Sequence, residues 1–87
     1  MKIVVLYRPE SEFARAVEEF VHDIERQQNV KPELVSIDTR EGANMAETYD
    51  ITDYPAILAT RDSGEMLQMW VGPTLPLMSE VAAYANS

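Results

Sequence analysis

The sequence predicts an α/β fold: a β-α-β-α-β-β-α chain forming a four-stranded mixed sheet with helices on both faces. Three observations lead there. Ile3 to Leu6 is a continuous apolar, β-branched run, which suits a strand buried on both sides. Directly after it the apolar spacing changes to that of a helix. Further on, two strand-like runs flank "RDSG", a tight-hairpin signal.

The first strand stops at Arg8-Pro9. From Ser11, Phe13, Val17, Phe20, Val21 and Ile24 fall on one stripe, with Glu12, Arg15, Glu18, Glu19, His22, Asp23 and Arg26 around it. This first helix is expected to run from Ser11 to about Gln28. Glu10 and Glu12 complement the positive end of its dipole. Pro32 opens a second strand, Glu33 to Ile37, with Leu34 and Ser36 on one side and Val35 and Ile37 on the other. Joined through a helix, these two strands run parallel with a right-handed crossover.

Asp38 or Thr39 caps a short second helix over Glu41 to Tyr49, where Met45 and Tyr49 stack one turn apart and Gly42 weakens the first turn. "DYPAILAT" gives a third strand beginning at Pro55, where the missing N–H does no harm. Gly64 takes the left-handed position of the hairpin, and Met66 to Val71 returns antiparallel. Gly72-Pro73 ends that strand. Thr74 caps a last helix carrying Leu77, Met78, Val81, Ala82 and Tyr84.

The chain's 87 residues are expected to form one domain over 1–87, without repeats or low-complexity segments. A domain of this size buries roughly 60–70% of its unfolded surface, enough for one sheet and a few helices without a metal or disulfide staple. The formal charge is −8, with acids spread along the whole length and no basic run among Lys2, Arg8, Arg15, Arg26, Lys31, Arg40 and Arg61. Such a surface repels a phosphate backbone, so nucleic acid is not an expected partner. A basic or neutral protein surface suits it better. The N-terminal run lacks a cleavage-site pattern and nothing reaches membrane-span length, so the cytoplasm is the default compartment and no membrane is expected.

The chain has no cysteine. Disulfides, thiolate nucleophiles and zinc–thiolate sites are thereby excluded. No cofactor or metal is implied. His22 stands among Glu18, Asp23, Glu25 and Arg26 as one imidazole with loosely placed carboxylates, which reads as a solvated charged face. Asp50 and Asp53 read as loop and helix-end residues, not as a catalytic pair. Trp70, Met66 and Met69 are either an adaptable surface or core, and a sheet covered on both faces favours core.

The order of elements resembles the thioredoxin-fold superfamily, and particularly its short glutaredoxin-like core. "VVLYRPESEFARAVEEF" is similar to the first strand and helix of a glutaredoxin, where Cys-x-x-Cys opens the helix; the two cysteines fall on Ser11 and Ala14. "YDITDYPAILAT" resembles the segment that carries the family's cis-proline opposite the cysteines, which falls on Pro55. "WVGP" looks like the Val-Gly step that closes the same groove, at Gly72. The departures decide the chemistry. Both cysteines are missing, the buried acid of thioredoxins is replaced by Val5, and the glutathione-binding Gly-Gly-Cys-Asp stretch has no counterpart after Met66. Thiol–disulfide exchange needs a thiolate, and a serine without an adjacent base does not replace it.

Arg8, Ser11, Ala14, Tyr54, Pro55 and Gly72 are therefore the candidate binding residues, with no catalytic residue among them. Ser11 is read first as a helix N-cap, worth about 1 kcal/mol; the resemblance adds a second reading, since some glutathione transferases hold a thiolate with a serine at this corner. For Tyr54-Pro55 two readings stand side by side. In the family, backbone groups of the residue before this proline pair with an extended peptide or with glutathione; alternatively the turn is inherited architecture. Arg8, with Pro9, either neutralises an acidic ligand group or pairs with Glu10 or Glu12. The expectation is a non-catalytic adaptor holding a protein or peptide. A glutathione-binding or transferase-like protein using Ser11 is the alternative, and homodimerisation of an otherwise monomeric chain is a third role.

Overall fold

In a computed structural model, which describes residues 2–72 and 74–85, the predicted order of elements is present. Strand β1 spans Lys2–Tyr7, helix α1 Ala14–Gln28, β2 Glu33–Ser36, α2 Arg40–Thr48, β3 Ala56–Thr60, β4 Met66–Val71 and α3 Met78–Ala85. The sheet order is β2-β1-β3-β4. β1 runs parallel to β2 and antiparallel to β3, and β3 pairs antiparallel with β4, with an irregularity between Ala59 and Thr60.

The continuous apolar run is buried on both faces because each face has its own helical cover. Ile3 and Val5 of β1 join Ile57 and Ala59 of β3 under Val17, Val21 and Ile24 of α1 and Val81 and Ala82 of α3. Val4, Leu6, Ala56 and Leu58 point the other way, onto Val35 and Ile51, with Met45, Ala46 and Tyr49 packed against them. Trp70 is half-buried on the first face, its ring edge-on to Tyr84 at 5.6 Å, whereas Met66 and Met69 are half-buried on the second. Each therefore lies between the two readings given to it.

Several boundaries differ from expectation, each for a local reason. α1 begins at Ala14, not Ser11. Two successive turns fill the gap: the Ser11 N–H donates to the Arg8 carbonyl (3.0 Å), and the Ala14 N–H to the Ser11 carbonyl (3.2 Å). Phe13 occupies the cap position and no side chain caps the helix, so Ser11 is not an N-cap and Glu10 and Glu12 precede the first turn. Phe13, placed by spacing on the buried stripe, is 36% exposed. β2 stops at Ser36, although the Ile37 N–H still reaches the Tyr7 carbonyl (3.0 Å). Thr39, not Asp38, caps α2, its Oγ1 accepting the Gly42 N–H at 3.0 Å. β3 begins at Ala56, one residue after Pro55.

Gly64 adopts the left-handed φ of +96° expected of the hairpin. α3 begins at Met78, well after Thr74, because Pro76 disfavours the helical conformation at Leu75; the Leu77 carbonyl accepts its first bonds, and Leu77 is 68% exposed, not core. Pro73, expected to end β4 with Gly72, lies outside the described residues.

Candidate binding corner

β1 ends at Tyr7 and its chain turns through Arg8–Phe13, while the segment between α2 and β3 brings Thr52–Pro55 alongside. Arg8, Ser11, Phe13, Thr52, Asp53 and Tyr54 together line a cleft of about 270 Å³. Three of the six candidate residues, Arg8, Ser11 and Tyr54, thus share one surface. Pro55 is buried behind it, joined to Tyr54 by a cis peptide bond. Its carbonyl accepts the Gly72 N–H at 3.0 Å, which ties the end of β4 to the back of the corner. Ala14 is 7% exposed and does not line the cleft; as the first residue of α1 its methyl group is buried.

The polar groups of this corner are largely uncommitted. Tyr54 spends its hydroxyl on the Ile51 carbonyl, at 3.4 Å. Among the described residues, however, the peptide N–H and C=O groups of Thr52, Asp53 and Tyr54 take part in no hydrogen bond. The Arg8 guanidinium makes no ion pair among the described residues, so the expected alternative of pairing with Glu10 or Glu12 is not realised. The lining of the cleft therefore includes a cation (Arg8), a carboxylate (Asp53), an aromatic ring (Phe13) and the Thr52–Tyr54 backbone, which is unpaired among the described residues.

Among the described residues no imidazole or lysine lines the cleft with Ser11, and its one carboxylate is Asp53. The single imidazole, His22, lies on the exposed face of α1 with Arg15, Glu18, Glu19 and Asp23, about 12 Å along the helix from Ala14. Both lysines, Lys2 and Lys31, line a separate cleft with Asn29 and Glu33, around the other end of β1. Among the described residues the Ser11 hydroxyl makes no hydrogen bond, so it is open to accept or donate one. Among the described residues no cluster of three His, Asp or Glu side chains is arranged to hold a metal ion, and no helix is long and apolar enough to cross a membrane.

Thr52, Phe13 and Asp53 were not singled out as site residues by sequence, Asp53 having been read as a loop or helix-end residue. Thr52 had a signal in its position just before the Asp-Tyr-Pro turn. Phe13 had a misleading one, because its spacing continues the stripe of a helix that has not yet begun.

No protein-family model matches this chain, and no curated protein matches it significantly. Solved structures do. Thioredoxin 1 of Thermosipho africanus superposes with a TM-score of 0.67 at 14% identity, over 99% of this chain and 91% of that one. A Plasmodium falciparum thioredoxin gives 0.68 at 15% identity, over 98% and 82% of the two chains. The germline-specific thioredoxin Deadhead of Drosophila melanogaster gives 0.65 at 18% identity, over 98% and 79%. At these identities the likeness speaks for architecture alone: the chain has the thioredoxin fold, and it carries no cysteine.

Proposed function

We propose that this protein is a non-catalytic binding module that holds an extended peptide segment of a partner protein at the corner formed by Arg8, Ser11, Tyr54 and Pro55. The observation that carries this reading is the unpaired backbone of Thr52–Tyr54 along the cleft, in a chain with no thiolate for redox work. Extended peptides add to such backbone by main-chain hydrogen bonds, and side-chain contacts supply selectivity. Each bond contributes about 0.5–1.5 kcal/mol net, so two or three of them with an aromatic contact from Phe13 give a weak, reversible interaction. Arg8 selects an acidic group in the peptide and Asp53 a basic one.

Glutathione is the second reading, favoured by one observation: Ser11 lines the same cleft as the Tyr54 backbone. Against it, about 270 Å³ lies below the usual 300–1,000 Å³ of small-ligand pockets, and no imidazole or lysine lines the cleft with Ser11 among the described residues. Peptides selected by display against the whole chain, followed by amide-shift titration, test the first reading. Shifts confined to Arg8, Ser11 and Thr52–Ala56, lost in the double variant Arg8→Ala, Tyr54→Ala, are the expected result. Equal binding by that variant sinks the corner as the site. Saturable shifts at the same residues with millimolar reduced glutathione would move the second reading ahead.

A further inference from the structure

We infer that β4 is a self-pairing edge, through which two copies of this chain associate antiparallel about a two-fold axis at Met69. The phase of the strand comes from the bond between the Gly72 N–H and the Pro55 carbonyl. In an antiparallel ladder alternate residues bond to the neighbour, so Gly72, Trp70 and Gln68 face β3, while Met69 and Val71 turn their peptide groups outward. β4 is the last strand of the sheet, and among the described residues no strand pairs with that outer row.

Sheet edges are ordinarily guarded by charge, proline or short length. The opposite edge, β2, has four residues and opens on Glu33, which pairs with Lys2 at 3.2 Å. β4 has six residues, MLQMWV, with neither a charge nor a proline. Its irregularity falls at Leu67, since Gln68 pairs with Ala59 and Met66 with Thr60. The uncharged run continues from Met66 through Ser79, in a chain of net charge −8. Val71 (43% exposed) and Leu77 (68% exposed) both lie in it.

Charge identifies the occupant. Two copies of a strongly acidic chain repel wherever carboxylates face each other, and this edge is where they meet without doing so. Centred on Met69, the pairing sets Met69 against Met69 on the α2 side of the sheet and Gln68 against Trp70 on the other. Two backbone hydrogen bonds join the Met69 pair, and Val71 of each copy then faces Leu67 of the other. In the single chain the outward Met69 N–H is held by Oε1 of its neighbour Gln68 at 3.0 Å. Association exchanges that local bond for a partner carbonyl, which keeps the dimer reversible. The two Gly72 residues then lie about 20 Å apart along the strand direction, at opposite ends of the joint. The dimer would thus carry two separate corners.

Sedimentation equilibrium of the whole chain from 5 µM to 1 mM, in low and in moderate salt, tests this. The expected mass rises from 9.9 kDa toward twice that value. Association tightens several-fold between 20 and 300 mM salt, because screening over about 10 Å at 0.1 M weakens the mutual repulsion. Val71→Lys and Val71→Pro each weaken association at least tenfold while leaving the fold intact by circular dichroism. Val71→Lys takes the net charge from −8 to −7 (−8 + 1), so its effect cannot come from added repulsion. Amide exchange at Met69 and Val71 slows with concentration in the parent. A single-chain mass at 1 mM, association undiminished in both variants, or protection that appears on β2 instead of β4 overturns the inference.

Discussion

Exchanging Gly42 for alanine sets helix propensity against the seating of α2, and the structure says which wins. Gly42 lies in the first turn of the helix, where propensity alone credits alanine with up to about 1 kcal/mol. A Cβ at this position, however, runs into the Ser36 carbonyl oxygen and lies 2.8 Å from the Ser36 carbonyl carbon and 2.9 Å from the Ile37 Cα. All three are backbone atoms, so no side chain can swing aside. Nor can that backbone retreat easily. Ser36 is paired with Tyr7, the Ile37 N–H is bonded to the Tyr7 carbonyl, and the Ser36 carbonyl accepts the Thr39 hydroxyl at 2.7 Å. The helix must shift instead, which strains the Thr39 cap. Overpacking typically costs about 1–3 kcal/mol and a lost cap about 1 kcal/mol. After the propensity offset, Gly42→Ala is destabilised by about 1–3 kcal/mol. For a chain of this size each kcal/mol moves the thermal midpoint by about 4–8 °C. Thermal and urea melts followed by circular dichroism measure it, with Asn44→Ala on the exposed side of α2 as a control that stays within about 0.5 kcal/mol. If Gly42→Ala melts at or above the parent temperature while folding cooperatively, the close seating is wrong.

Two further substitutions separate real caps from apparent ones, and one probes the core. Thr39→Ala removes the Oγ1 acceptor of the Gly42 N–H and is expected to lower stability by about 1 kcal/mol in urea melts; Ser11→Ala, with no cap bond to lose, stays within about 0.5 kcal/mol. An equal loss in both would restore the N-cap reading of Ser11. Leu58 is fully buried between β1 and β4 and packs toward α2, so Leu58→Ala costs about 2–5 kcal/mol. That is a large part of a typical domain's stability, and a midpoint shift corresponding to less than 1 kcal/mol would contradict the burial.

The elements legible in the sequence were those whose signal is strictly local. Ile3–Leu6 announces a doubly covered strand by composition, and "RDSG" between two apolar runs announces a hairpin by turn chemistry. Helix starts were read less well. Phe13 and Leu77 each continue an apolar spacing backward past the first helical residue, and periodicity cannot tell a helix from a turn that happens to keep its phase. What stops the helix short is tertiary or steric: paired turns after Pro9 in one case, Pro76 in the other. Gly42 shows the opposite failure. In sequence it is a weak point of a helix, whereas in the fold it is where two backbones touch, a contact between segments that no local rule reports. The corner itself was partly visible, through Tyr54-Pro55 and the segment after Tyr7. The uncommitted backbone of Thr52–Tyr54 was not, since hydrogen-bond satisfaction is a property of the assembled chain.

A thioredoxin fold with no cysteine would have an idle corner if the corner existed only to present sulfur. The chemistry left behind argues otherwise. A thiolate supplies reactivity, but peptide groups supply recognition, and these two do not depend on each other. Backbone N–H and C=O groups that are left unpaired in a folded protein forfeit about 0.5–1.5 kcal/mol each relative to being satisfied internally, and among the described residues three consecutive ones do so in the cleft that also holds Arg8, which makes no ion pair there. Thr52 and Asp53 are exposed, so their peptide groups face water in the single chain and are open to the main chain of a partner. That openness is the observation on which the proposed peptide reading rests, and the double variant Arg8→Ala, Tyr54→Ala is its test.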